Sequence, residues 1–133
     1  MSQESMQVVE SFYNAMKAGD LGAALALIDP NIEWSEAENF VYADQSPYVG
    51  RDSLINGLFM RLATEWEGFA AIPEQYVGTG DTVAVMGRYR GTFRATGKPV
   101  SAQMVHVFKI EGGKIVRFQQ YTDTAQFRDV VSA

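Results

Sequence analysis

The chain has 133 residues, 47% of them apolar and 20% charged, which fits one compact domain with a real core and argues against a separate nucleotide-binding module. It contains no cysteine and a single histidine, so disulfides, thiolate metal sites, cysteine nucleophiles and a multi-histidine zinc centre are excluded. A net charge of −5 argues against a nucleic-acid partner, since neutralisation of phosphates by Lys and Arg supplies most of such affinity.

The start, MSQESMQVVESF, lacks a basic segment followed by an apolar one, and no apolar run approaches the roughly 18 residues of a membrane span. The expectation is a cytoplasmic protein with no membrane partner, residues 1–133 forming one domain. Residues 6–18 place Met6, Val9, Phe12, Tyr13 and Met16 at helical spacing. Gly19 ends this helix, Asp20 caps a second over 21–28, and Asp29-Pro30 stops that one. Ile32 and Trp34 suggest a brief strand, whereas 36–50 has no period but is rich in acids and aromatics. A third helix opens at Gly50 and runs to about Trp66, with Leu54, Ile55, Leu58, Phe59 and Leu62 on one side.

After Gly68 the period falls to two: 74–78, 82–95, 99–110 and 114–123 read as strands, separated by glycine-containing turns at 79–81, 96–98 and 111–113. Thr124–Val130 reads as a terminal turn or short helix. The fold class is therefore α+β, with three N-terminal helices packed in the concave face of a curved, mostly antiparallel β-sheet. A sheet that curls around the first helix without closing leaves a cone with one open end, a natural pocket. Charge divides along the chain: residues 1–81 hold 13 acids against three bases, and 82–133 hold three against eight. An acidic helical layer over a more basic sheet accounts for that split.

The element order, with F-Y-N-A-M-K-A-G-D-L (12–21), D-P-N-I-E-W (29–34), V-H-V-F-K-I-E-G-G-K-I (105–115) and Y-T-D (121–123), resembles the nuclear transport factor 2-like superfamily. Its SnoaL-like polyketide cyclase and ketosteroid isomerase branches look nearest. The resemblance covers residues 4–127 and implies a cone-shaped α+β roll, while leaving function open among isomerases, cyclases, hydrolases, dehydratases and non-catalytic binding domains. It places the general-base aspartate of ketosteroid isomerases on Glu36, their oxyanion tyrosine on Phe12 beside Tyr13, and their protonated aspartic acid near Gln103. From the cyclases it places the strand histidine on His106, the catalytic aspartate on Gln120, and a further acid on Asp123.

Proton transfer on a carbonyl compound needs a base and donors for the enolate oxygen. Glu36, His106 and Asp123 are the candidate acid–base groups. Tyr13, Trp34, Tyr42, Phe59, Gln103 and Gln120 are candidate ligand contacts, with Met60 and Met86 as further lining. His106 shares its strand face with Met104 and Phe108, so it should be buried and need a partner, for which Asp123 or Gln120 is available across the hairpin. Each of these residues also has a plain structural reading: a solvated acid for Glu36, a helix cap for Asp123, ordinary core for the aromatics. Arg88, Arg90 and Arg94 oppose Tyr89 and Phe93 in parity and belong on the outer sheet face, there to pair with acids or a second subunit. No phosphate loop, serine-hydrolase elbow or metal-ligand spacing is present. The sequence reading is a pocket protein for a small apolar or aromatic molecule, homodimeric through its outer sheet face and without metal or cofactor. It is either an isomerase or cyclase acting by proton transfer or a non-catalytic binding or assembly domain, with epoxide hydrolysis or dehydration as lesser alternatives.

Overall fold

A computed structural model describes residues 2–133. Helix α1 (Ser2–Lys17) turns Val9, Phe12 and Tyr13 inward, where all three are buried. Gly19, at φ +73°, ends it in the left-handed conformation that a residue without Cβ adopts most easily. Asp20 then caps α2 (Leu21–Ala26), its carboxylate accepting from Ala23 N at 3.0 Å. Helix α2 stops two residues earlier than the apolar pattern suggests, because Ile28 already belongs to β1 (Ile28–Ser35) and pairs with Ile115.

The sheet has six strands in the order β2-β1-β6-β5-β4-β3, with β2 (Tyr48–Val49), β3 (Trp66–Thr79), β4 (Thr82–Phe93), β5 (Pro99–Glu111) and β6 (Lys114–Thr122). Only β1 and β6 run parallel; the other pairs are antiparallel. Pro30 sits where the β1–β6 register shifts between Ile28 and Glu33, a place where a missing N–H costs no ladder bond. Strand β3 starts eight residues before the expected segment at 74, since register shifts between Glu67 and Ala70 and between Pro73 and Gln75 break the alternation that would have revealed it. Opposite the second shift, a Cβ on Gly87 would lie 2.1 Å from the Ile72 carbonyl oxygen, so the sheet bends where no side chain is tolerated.

The segment between β1 and β2, which has no sequence period, is a strap with a single 3-10 turn at Ala43–Gln45. Beyond β2, α3 (Arg51–Leu54) passes through a π-turn (Ile55–Phe59) into α4 (Met60–Glu65). Gly57 lies in that wide turn, and a Cβ there would meet the Tyr48 ring and Gln45 Oε1 at 2.6 Å. Arg61 clasps the strap: it donates to Gly57 O at 2.6 Å, Tyr48 Oη at 2.7 Å and both Asp44 carboxylate oxygens at 2.8 and 3.1 Å. Finally, α5 (Thr124–Val131) places Phe127 against Phe40 of the strap, ring centroids 4.8 Å apart. Among the described residues no helix is long and apolar enough to cross a membrane.

Candidate functional site

Strand parity decides which side chains face the helices. The β4–β5 register runs unbroken from Thr82–Lys109 to Thr92–Pro99, so Met104, His106 and Phe108 all point inward and are buried. Gln120 stands opposite His106 on β6 and Tyr89 reaches the same region from β4. Tyr13 arrives from α1.

These groups form one buried hydrogen-bonded chain. The imidazole of His106, 4% exposed, meets Tyr13 Oη at Nδ1 and Tyr89 Oη at Nε2, each at 2.5 Å. Gln120, 2% exposed, donates from Nε2 to Tyr89 Oη at 2.8 Å and accepts at Oε1 from the strap's Ala37 N at 3.0 Å. Burial disfavours charge on every member. It pushes the Tyr13 and Tyr89 hydroxyls far above the usual tyrosine range and the His106 pKa down to about 3, so the imidazole is neutral at physiological pH.

Glu36 follows β1 directly and is 8% exposed. Its backbone N–H donates to Ser46 Oγ at 2.9 Å, which fixes the start of the strap. Burial pushes its pKa up to about 8, opposed by the nearby Trp34 indole N–H, and its charge is felt at the Tyr89 hydroxyl. Trp34 Nε1 is itself buried without a well-formed hydrogen bond. The Trp34 ring stacks on Phe118 at 3.6 Å, and Phe118 packs edge-on to His106 at 4.7 Å. A carboxyl that titrates near neutrality therefore shares one apolar interior with an indole donor and with the Gln120, Tyr89, His106 and Tyr13 chain.

Two expected members lie elsewhere. Asp123 is exposed and caps α5, its Oδ1 accepting from Gln126 N at 3.2 Å; it is not the partner of His106, because β6 has ended and turned away by that residue. Gln103 has the opposite parity to His106 and lies exposed on the outer sheet face. There it lines a groove of about 660 Å³ with Glu74, Met86, Arg88, Tyr121 and Asp123. Tyr42 is buried but distant in role, donating to Glu65 Oε1 at 2.5 Å and accepting from Trp66 Nε1 at 2.8 Å. Phe59 is buried edge-on against Trp34 at 5.6 Å. The open-ended hollow expected from the cone is occupied around His106 by the rings of Tyr13, Tyr89, Phe108 and Phe118, with centroids 4.7–6.2 Å away. Tyr89 was not singled out from sequence as a site residue; its inward parity with Phe93 was the available signal. No group of three or more His, Cys, Asp or Glu able to hold a metal occurs among the described residues.

A helical layer held in a bent six-stranded sheet, with its buried polar groups gathered beneath a strap, defines the nuclear transport factor 2-like α+β class. A solved structure of an NTF2-like protein from Burkholderia thailandensis is 36% identical, with 97% of this chain and 98% of that chain covered and a TM-score of 0.91. The chain belongs to the SnoaL-like domain family, whose model matches residues 9–118. At lower identity the same fold is found in TerC co-crystallised with polyporic acid, 20% identical over 98% of this chain and 99% of that one, TM-score 0.84. It is found again in a putative SnoaL-like polyketide cyclase from Jannaschia, 15% identical over 99% and 94%, TM-score 0.84. No curated protein matches the chain.

Proposed function

We propose that the protein takes a small, largely apolar carbonyl compound into the interior beneath the strap and catalyses cofactor-independent proton transfer on it, as an isomerase or cyclase, with Glu36 as the acid–base group. The observation that carries this reading is the burial of the Glu36 carboxyl, whose pKa of about 8 suits proton exchange near neutral pH, in one interior with hydroxyl, amide and indole groups suited to an enolate oxygen. His106 acts through Tyr89 and Tyr13 rather than as a base of its own, since both its nitrogens are engaged. Entry requires the strap, tied to Gln120 Oε1 through Ala37 N, to lift and the rings of Tyr13, Tyr89 and Phe118 that pack around His106 to shift. That TerC was crystallised with polyporic acid supports an aromatic ligand for this fold.

The test is hydrogen–deuterium exchange at the α-carbon of enolisable aryl ketones, followed by NMR. Wild type should accelerate exchange, with a rate that rises as pH passes through about 8 and Glu36 loses its proton. Glu36→Gln should lower that rate by about 10²-fold or more. A second reading, a non-catalytic binding domain, is favoured by the engagement of both His106 nitrogens and both ends of the Gln120 amide. It predicts saturable ketone binding by wild type and Glu36→Gln alike, with no exchange by either. Pairing through the outer sheet face is part of the same proposal: Tyr121 is 55% exposed there beside Met86 and Val105, with Glu74 and Arg88 at hand. Sedimentation showing a monomer at micromolar concentration removes it.

A further inference from the structure

The hydrogen bonds around His106 can be counted to the last proton. Ala37 N can only donate, so the Gln120 atom it meets at 3.0 Å is the carbonyl oxygen, and the amide nitrogen must be the one that donates to Tyr89 Oη at 2.8 Å. A neutral imidazole carries one N–H and one lone pair. Two contacts, Tyr13 with Nδ1 and Tyr89 with Nε2, are thus served by three protons: two hydroxyl and one imidazole. One hydroxyl proton is always left over. With the proton on Nδ1, Tyr89 donates to Nε2 and the uncommitted hydroxyl is that of Tyr13. With it on Nε2, Tyr13 donates to Nδ1 and the uncommitted hydroxyl is that of Tyr89. Both tyrosines are buried, where a donor without an acceptor costs about 1–3 kcal/mol. The two ends differ in what surrounds them. Tyr13 is flanked by the rings of Phe12, Tyr76 and Phe108. Tyr89 lies near Glu36, close to the buried Trp34 Nε1, which also has no acceptor of good geometry.

We propose that the Tyr13, His106, Tyr89 and Gln120 chain is a tautomeric relay that delivers its one uncommitted hydroxyl proton to a bound acceptor oxygen beside Glu36 and Trp34, with His106 switching to the Nε2–H form as the ligand docks. The ligand class is a ketone or quinone-type carbonyl, or an enolate, which accepts and does not donate. The relay deepens the reading given under Proposed function and rests on it only for the presence of a ligand.

Because His106 is the single histidine in the sequence, the ring ¹⁵N resonances of histidine-labelled protein report its tautomer without ambiguity. In ligand-free protein, Tyr13→Phe should leave the proton on Nδ1, since Tyr89 can still donate to Nε2; Tyr89→Phe should leave it on Nε2, since Tyr13 can still donate to Nδ1. The same tautomer in both variants overturns the relay. A second arm uses wild type alone, titrated with 2-acetonaphthone and with 2-isopropylnaphthalene as a hydrocarbon of similar shape, binding being followed by tryptophan fluorescence. The ketone should bind about tenfold more tightly, as one added hydrogen bond to a lone donor gives, and should move the ring to the Nε2–H form, whereas the hydrocarbon should bind without moving it. Ketone binding with an unmoved imidazole overturns the docking switch while leaving the ligand reading intact. If neither probe binds, the oxygen subsite and the ligand reading fall together, and the variant pair still decides the relay.

Discussion

The inner face of the sheet has two unlike ends. Toward the β5–β6 turn, Ile28, Ile110 and Ile115 align across three strands, with Val83 opposite Phe108, and the buried polar side chain at this end is Ser5, whose Oγ donates to Gly80 O at 3.2 Å. Toward the strap, Glu36 just past the end of β1 joins Gln120, His106 and Tyr89 from β6, β5 and β4. Four buried polar or charged side chains occur among the described residues, and three of them, Glu36, His106 and Gln120, belong to the strap end; the fourth is Ser5. A core built for stability alone resembles the first end. Polar groups in the second cost desolvation that hydrogen bonds only partly offset, so their concentration there is the reason the proposed site is placed at that end.

The largest separation of the two ends comes from cutting into the apolar one. Ile115→Ala removes a fully buried side chain and should destabilise the protein by about 2–5 kcal/mol, read from chemical denaturation. Ketone binding and the His106 tautomer of the folded fraction should be unchanged. A large effect on either would mean that the ends are not independent.

Next in size is the dependence of stability on pH, which belongs wholly to the polar end. Folding raises the Glu36 pKa from 4.5 to about 8. Native protein therefore keeps a proton that the unfolded chain loses, and stability falls as pH rises from 4.5 to 8. His106 moves the other way, from 6.5 to about 3; unfolded chains take up its proton first, so stability falls as pH drops from 6.5 to 3. Between 4.5 and 6.5 the two slopes oppose and cancel. The expected profile from these two groups is a plateau flanked by two falling limbs, each steepening toward about 1.4 kcal/mol per pH unit. Glu36→Gln should flatten the alkaline limb and His106→Asn the acid one, checked by thermal melts from pH 3 to 9. A wild-type melting temperature that does not fall above pH 6.5 would show that Glu36 is hydrated and not enclosed.

A smaller effect is expected at the joint between the strap and the sheet. Gln120→Leu keeps the bulk but leaves Ala37 N and Tyr89 Oη without their amide partner, at a cost of about 1–3 kcal/mol. Hydrogen exchange should quicken at Ala37 while the β4 and β5 amides stay protected. Uniform quickening would show that the strap is not a separate opening unit.

Much of this was legible in the sequence because period and parity are local. The α1 stripe, β4, β5, β6 and the end of β3, and the shared face of Met104, His106 and Phe108 follow from spacing alone, and the hairpin turns fix which strands pair. Three things are not local. Bulges in β3 concealed its first eight residues. The strap has no period because it is held by Arg61, Gln120 and the Tyr42 and Tyr48 side chains and not by a ladder. The partner of His106 is set by where two tyrosines from α1 and β4 converge, which no single segment encodes; of the two candidates offered by strand pairing across the hairpin, Gln120 joins His106 only through Tyr89 and Asp123 belongs to the next helix.

Asp123 supplies the smallest effect and the cleanest control. Its carboxylate accepts from Gln126 N at 3.2 Å, an N-cap whose loss costs about 1 kcal/mol in typical cases, and it lies outside the buried chain that Gln120, His106 and the two tyrosines form. Asp123→Ala should therefore lower stability by that amount with no change in the His106 ring shifts, the pH limbs or ketone affinity. Asp123→Ser, which can still cap, should recover most of the loss. If Asp123→Ala instead altered the tautomer or the acid limb, the last turn of β6 would have to swing inward in solution. The boundary between the polar end of the interior and the outer groove that Asp123 lines would then lie on the other side of that residue.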